Sequence, residues 1–203
     1  MSSVVTAIEV LREGGLAVIP TDTVYGLAAR GDSEEAARSL YAAKGRPAIQ
    51  PTAVLFASLD LLDEHLPELS GEARAAARTL LPGPLTLVLP NPGRRYGWLN
   101  AERPEAIGVR VPHVEGPGGD VLRALGVIVA TSANLPGGPD PRIVADVPQA
   151  IRDAAAAIVD GGPLPGTPST VTDLTGAEPR VLREGAVPAA DVLARLVHAP
   201  ADF

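Results

Sequence analysis

Apolar positions along this chain follow two periods. Val5, Ile8 and Leu11 keep helical spacing, and Gly14-Gly15 can end that helix. The continuous run Leu16-Ala17-Val18-Ile19 then reads as a short buried strand that stops at Pro20. Asp32 with Glu35 resembles a capping box opening a helix through Leu40 to Ala43, and Lys44 sits where a cation favours the helix C-terminus. Residues 53–57 predict a strand, and 59–65 and 72–81 predict helices, the second closed by Pro82-Gly83-Pro84. Strands follow at 85–89, 107–111 and 127–130, with a helix at 121–125 between the last two. The remainder predicts a helix over 148–154, extended segments at 157–159, 170–174 and 180–183, and a helix over 189–197 striped by Val192, Leu193, Leu196 and Val197. About seven short strands interleaved with helices give an α/β fold. The early strand-helix-strand order favours parallel pairing, whereas the closely spaced strands after residue 156 favour antiparallel pairs, so the expected sheet is mixed and twisted.

Composition narrows this picture. At 203 residues with no break in character, the chain is expected to fold as a single domain over 1–203. Its apolar fraction of 46% with only 3% aromatic residues predicts an aliphatic core. The absence of cysteine removes disulfides, thiolate metal sites and cysteine nucleophiles. The N-terminus lacks a basic region followed by an apolar run, and no stretch could span a membrane, so a cytoplasmic protein is expected. A net charge of −7 disfavours a surface devoted to nucleic acid, so any anion must be held by locally concentrated cations.

Candidate chemistry lies in loops punctuated by Gly and Pro, where function tends to sit on a rigid scaffold. These are Pro20-Thr21-Asp22-Thr23-Val24-Tyr25-Gly26, Lys44-Gly45-Arg46-Pro47, Thr131-Ser132-Ala133-Asn134 and Asp160-Gly161-Gly162-Pro163, the last running on to Ser169-Thr170. Lys44 is either an ordinary helix-dipole partner or, with Arg46, half of a polyphosphate clamp that combines a point charge with a planar fork. Ser132 and Asn134 follow an apolar strand, at the carboxyl end where open α/β sheets bind ligands, though both residue types also make ordinary turns. Arg110 interrupts the apolar run 107–111, so it needs exposure, an internal Asp or Glu, or a carboxylate ligand. No phosphate-binding Gly loop, dinucleotide fingerprint or zinc-protease motif occurs. The three histidines, His65, His113 and His198, are too far apart in sequence to suggest a triad or a metal cluster; His65 and His198 read as solvated helix residues.

Taken together the chain resembles the YrdC-like family, the threonylcarbamoyl-AMP synthases that begin threonylcarbamoyladenosine formation at position 37 of tRNA. The resemblance rests on residues 20–27, Lys44-Gly45-Arg46-Pro47 with Pro51, residues 82–87 and Gly108-Val109-Arg110-Val111-Pro112. It continues through Thr131-Ser132-Ala133-Asn134, Asp160-Gly161-Gly162-Pro163, Ser169-Thr170-Val171 and Leu182-Arg183, all in the family's order.

The resemblance implies a twisted sheet around a deep cavity where ATP, L-threonine and bicarbonate or carbon dioxide combine with release of pyrophosphate. It implies ATP contacts at Lys44, Arg46, Gln50, Ser132, Asn134, Asp140 and Arg183, with Lys44 and Arg46 acting in catalysis. It implies threonine contacts at Thr23, Arg110, Ser169, Ala130 and Thr131. Leu55 stands near the place of the family's usual His and is expected in the wall of that pocket. Magnesium is expected through the triphosphate, with no metal site of the protein's own. A monomer passing product to a threonylcarbamoyl transferase complex is implied, with direct tRNA contact as a further partner. Longer relatives carry a linker and a second domain, which are expected to be absent here. A paralogue with another ATP-dependent reaction and a double-stranded RNA binder are the alternative readings.

Overall fold

The computed structural model describes residues 1–45 and 51–197. In chain order the elements are α1 (Val4–Arg12), β1 (Ala17–Pro20), β2 (Tyr25–Arg30), α2 (Glu34–Ala43), β3 (Ala53–Phe56), α3 (Leu59–His65), α4 (Gly71–Leu80) and β4 (Leu85–Pro90). Then follow β5 (Ala106–Arg110), α5 (Gly116–Leu125), β6 (Val127–Ser132), α6 (Gln149–Ala154), β7 (Ala157–Ile158), β8 (Thr170–Asp173), β9 (Arg180–Arg183) and α7 (Ala189–Val197). The expected elements are present, with one addition and one extension. β2 was not expected as a strand, and α5 begins at Gly116, well ahead of 121.

The strands form one sheet in the order β7-β1-β2-β6-β3-β5-β4-β8-β9 among the described residues. β1/β7, β3/β5 and β4/β8 are parallel, and the other neighbours are antiparallel, so the mixed sheet is as expected. The close strands after 156 pair in two ways: β8 with β9 antiparallel, but β7 with β1 parallel.

Because side chains alternate across a sheet, successive residues enter different cores. Val18, Leu27, Ala29, Val54, Phe56 and Val129 pack with α2, α3, α4, α6 and α7 on one face. Ala17, Ile19, Ala28, Leu55, Ile128 and Ala130 pack with Ala7 and Leu11 of α1 and Val121 and Leu122 of α5 on the other. The two helices α1 and α5 cover only part of that second face, and the rest stays open.

Local details correct two readings. The cap of α2 is Ser33, whose side chain accepts from Ala36 N at 3.2 Å, while Asp32 instead pairs with Arg30. His65 is not a solvated residue: its Nδ1 lies 2.6 Å from the Tyr96 hydroxyl, and its ring packs 5.7 Å from Phe56. His198 lies outside the described residues. No helix among the described residues is long and apolar enough to cross a membrane.

The Asp-Gly-Gly-Pro loop is organised around Tyr25. That hydroxyl shares its one proton between Asp160 Oδ1 at 2.9 Å and Gly162 O at 2.8 Å, and accepts from Gly161 N at 2.9 Å. Gly161 and Gly118 both lie against Pro20. A Cβ at Gly118 would stand 1.9 Å from Pro20 O, and one at Gly161 2.7 Å from Pro20 Cγ. Gly166 N donates to Thr23 O at 2.9 Å, so the loop that leads to Ser169 is bound to the loop after β1 at two levels.

Tyr25→Phe removes these bonds at constant shape, and should cost about 1–2 kcal/mol, or roughly 2–8 °C in Tm. Burial, the largest cause, and Asp160 raise the Tyr25 hydroxyl from 10.0 to about 12, while the Gly161 bond opposes them. The folded chain therefore keeps a proton that the unfolded chain releases. Stability from this group is complete below pH 10 and is lost as pH rises towards about 12. Thermal unfolding of both proteins across that range tests this: the variant should lose less stability with pH, and identical slopes would refute the assignment.

Candidate functional site

The uncovered part of the second sheet face floors a cavity of about 590 Å3, a size typical of small-molecule sites. Its floor comes from a row of small residues across adjacent strands: Ala130 of β6 pairs with Ala53 of β3, Ala53 with Gly108 of β5, and Gly108 with Val88 of β4. Short side chains in that row leave the space above the sheet open. Polar residues from strand ends and loops make the walls.

One wall is a network around Lys44. This residue caps α2, but its stem is buried with 3% exposure and its Nζ reaches across to the end of β6. There it donates to Ser132 O and to Asn134 Oδ1, the latter at 3.0 Å. Ser132 Oγ also donates to Asn134 Oδ1 at 2.7 Å, and Asn134 Nδ2 donates to Gly138 O at 2.8 Å and Asp140 Oδ1 at 3.3 Å. Asn134 thus uses both ends of its amide to fix this wall. Lys44 thus both caps α2 and lines the cavity.

Across the floor stand Thr23, Arg110, Ser169 and Arg183. Arg110 is nearly buried and its Nη2 donates to Asp22 Oδ1 at 2.5 Å, so of the partners open to it an internal carboxylate is present. Asp22 Oδ2 also accepts from His113 N at 3.2 Å, which ties the pair to the chain leaving β5. Burial pushes the Arg110 guanidinium down from its ordinary value, the Asp22 carboxylate pulls it back up, and the like charge of Arg183 adds to the depression. Arg110 Nε is buried with no protein partner among the described residues. Thr23 Oγ1 lies 3.0 Å from Thr21 Oγ1, within a turn held by the Thr21 bond to Val24 O at 2.7 Å. Arg183 wraps the Ser169 carbonyl, with Nη2 at 2.8 Å and Nε at 3.3 Å.

The cavity therefore gathers Thr23, Lys44, Arg110, Ala130, Thr131, Ser132, Asn134, Asp140, Ser169 and Arg183. Arg46 and Gln50 lie outside the described residues. Leu55 is a correction, because it does not line the cavity. It shares a face with Ala53, but stands one pleat farther along β3, in the core under α1 and α5, with 2% exposure. Thr52 and Ala53 line the cavity in its place. Sequence reasoning did not single out Thr86, Asn100, Glu102 or Arg103, which also line it. Thr86 carried a signal, since it is the polar position in the alternating run of β4. The others sit at the end of a short 3-10 turn, Gly97–Asn100, and in the loop after it, with no pattern to read.

Comparison with known proteins places this geometry in context. A family model for Sua5, YciO and YrdC proteins, described as "Telomere recombination", matches residues 9–185. A Pyrococcus abyssi protein named threonylcarbamoyl-AMP synthase is 37% identical over 187 residues, covering 90% of this chain and 54% of the relative. A Mycobacterium tuberculosis protein named putative threonylcarbamoyl-AMP synthase is 34% identical over 185 residues, covering 91% of this chain and 84% of the relative. The crystal structure of P. abyssi Sua5 complexed with L-threonine superposes with a TM-score of 0.84 at 34% identity, covering 97% of this chain and 57% of that one. The chain thus spans little more than half of the archaeal relative and most of the mycobacterial one. On the match of fold and sequence along nearly its whole length, the chain belongs to the Sua5/YciO/YrdC family.

Proposed function

We propose that this chain is a threonylcarbamoyl-AMP synthase, joining L-threonine, inorganic carbon and ATP with release of pyrophosphate. The observation that carries this reading is the gathering of Lys44, Arg110 and Arg183 with Ser132, Asn134, Thr23 and Ser169 around one cavity. The family relatives named for this activity support it. ATP is assigned to the wall of Lys44, Ser132, Asn134 and Asp140 together with Arg183, and with Arg46 and Gln50 nearby in sequence. Threonine is assigned to Thr23, Arg110 and Ser169 above the floor of Ala130 and Thr131. The whole chain acts as one domain, as a monomer, and hands its product to a transferase that acts on tRNA.

The chemistry asks for alignment and charge compensation. Threonine's uncharged amine attacks carbon dioxide and loses one proton, giving a carbamate. A carbamate oxygen then bonds to the α-phosphorus as the bond from that phosphorus to the pyrophosphate oxygen breaks. Positioned cations and donors suffice for such a transfer, and a cavity sheltered from water preserves the carbamate. Arg110 orients the amino acid through its carboxylate, while Lys44 and Arg183 meet charge on the nucleotide. Among the described residues no cluster of three metal-binding side chains occurs, and a magnesium ion is part of this reading only through the nucleotide. Such an ion would arrive on the triphosphate and share its charge.

Pyrophosphate release should require ATP, L-threonine and bicarbonate together. In degassed, carbonate-free buffer it should fall to background and return on adding bicarbonate. Equal release in both buffers would point to adenylation of threonine's own carboxylate and overturn the proposal. No release in either would favour a paralogue with another reaction.

A further inference from the structure

Thr86 has no part in the assignments above, yet it touches one of their central residues. Its Oγ1 lies 2.8 Å from Ser169 Oγ, and both side chains line the cavity. Ser169 Oγ also lies 3.3 Å from Arg183 Nη2. A guanidinium only donates, so that contact fills one lone pair of the Ser169 oxygen. The two hydroxyls carry two protons, and one is used between them. No acceptor for the other is found among the described residues, so the pair has a proton to offer a ligand in the cavity.

The surrounding charge says what kind of acceptor. Arg183 stands on Ser169, and its charge is felt at Arg110, so two cations converge here. Ser169 is assigned to threonine and Arg183 to ATP, which makes their contact the seam between the two ligand regions. We propose that Thr86 is a positioning residue acting through Ser169, and that the two hydroxyls with Arg183 form one donor set for an anionic oxygen of the substrates. That oxygen belongs either to an amino-acid carboxylate or to a nucleotide phosphate. The inference rests on the function proposed above for the names of these two ligands.

The pair is tested as a pair, in the full chain, with L-threonine and ATP titrated separately by calorimetry. Thr86→Val keeps the shape and removes the hydroxyl. It should weaken one ligand by roughly three- to tenfold, the range of a neutral hydrogen bond, and leave the other unchanged. Which ligand responds identifies the oxygen. Thr86→Ser, which keeps the hydroxyl, should restore affinity. On a Ser169→Ala background Thr86→Val should have little further effect, since the residue it acts through is already altered.

Equal weakening in both backgrounds would overturn the proposal. So would a uniform loss for both ligands with a lowered Tm, the mark of a purely structural role. If the wild-type chain binds both ligands and Thr86→Val changes neither, this role alone fails. If the wild-type chain binds neither, the proposed function fails and this role with it.

Discussion

Arg110→Ala is expected to damage threonine use and stability together, and a second substitution should separate the two losses. The side chains of Arg110 and Asp22 are only 11% and 7% exposed. Removing the cation leaves a carboxylate uncompensated in a place that water barely reaches. Breaking a buried pair in this way costs about 3–5 kcal/mol, or roughly 6–20 °C in Tm for a chain of this size. Removing Asp22 as well takes away the stranded charge, so Asp22→Ala/Arg110→Ala should regain much of the lost stability. It should not regain threonine binding, because a charged hydrogen bond to the substrate carboxylate, about 1.5–3 kcal/mol or roughly ten- to a hundredfold in affinity, is still gone. Thermal unfolding and threonine titration at saturating ATP measure the two quantities. A double variant that recovers threonine binding along with stability would assign Arg110 to the fold alone.

Lys44→Met should behave differently. Met removes the desolvation cost of a buried cation but also takes a donor from Ser132 O and Asn134 Oδ1, the second of which still accepts from Ser132 Oγ. The two effects oppose each other, so Tm should change far less than in the arginine variant. ATP-dependent pyrophosphate release should fall roughly ten- to a hundredfold, the loss of a charge-assisted bond to phosphate. Threonine affinity should change little. Unchanged nucleotide dependence in a folded Lys44→Met protein would remove the wall of Lys44, Ser132 and Asn134 from the ATP assignment.

What could be read in advance follows from where each residue's constraint originates. β4 was legible because its buried positions alternate with half-buried ones and a half-buried face leaves a two-residue period. β2 was not, because Tyr25-Gly26-Leu27-Ala28-Ala29 is covered on both faces, which erases the alternation, and Ala and Gly carry little strand preference. The first turn of α5, Gly116-Pro117-Gly118-Gly119, looks like a helix breaker. Gly118 answers to a neighbour distant in sequence, since any side chain there would collide with the carbonyl of Pro20.

The candidate site divides in the same way. Lys44, Ser132, Asn134, Ser169 and Arg183 belonged to recognisable clusters and stand on the cavity. Leu55 belonged to a matching stretch as well, but one step along a strand separates the open part of the sheet from the part under α1 and α5. Register decides which residue faces the ligand, and sequence resemblance alone does not fix that to a single residue.

The walls of the cavity differ in how firmly the sheet holds them. Arg110 stands on β5, flanked by β3 and β4, whereas Arg183 stands on β9, which among the described residues ends the sheet and pairs with β8 across an irregular register between Val171 and Thr172. An anion that touches both arginines would join the margin of the sheet to its middle. It would act as a reversible clasp, and by mass action the binding energy would resist fraying of that margin. The nucleotide would then help to build the chamber it occupies.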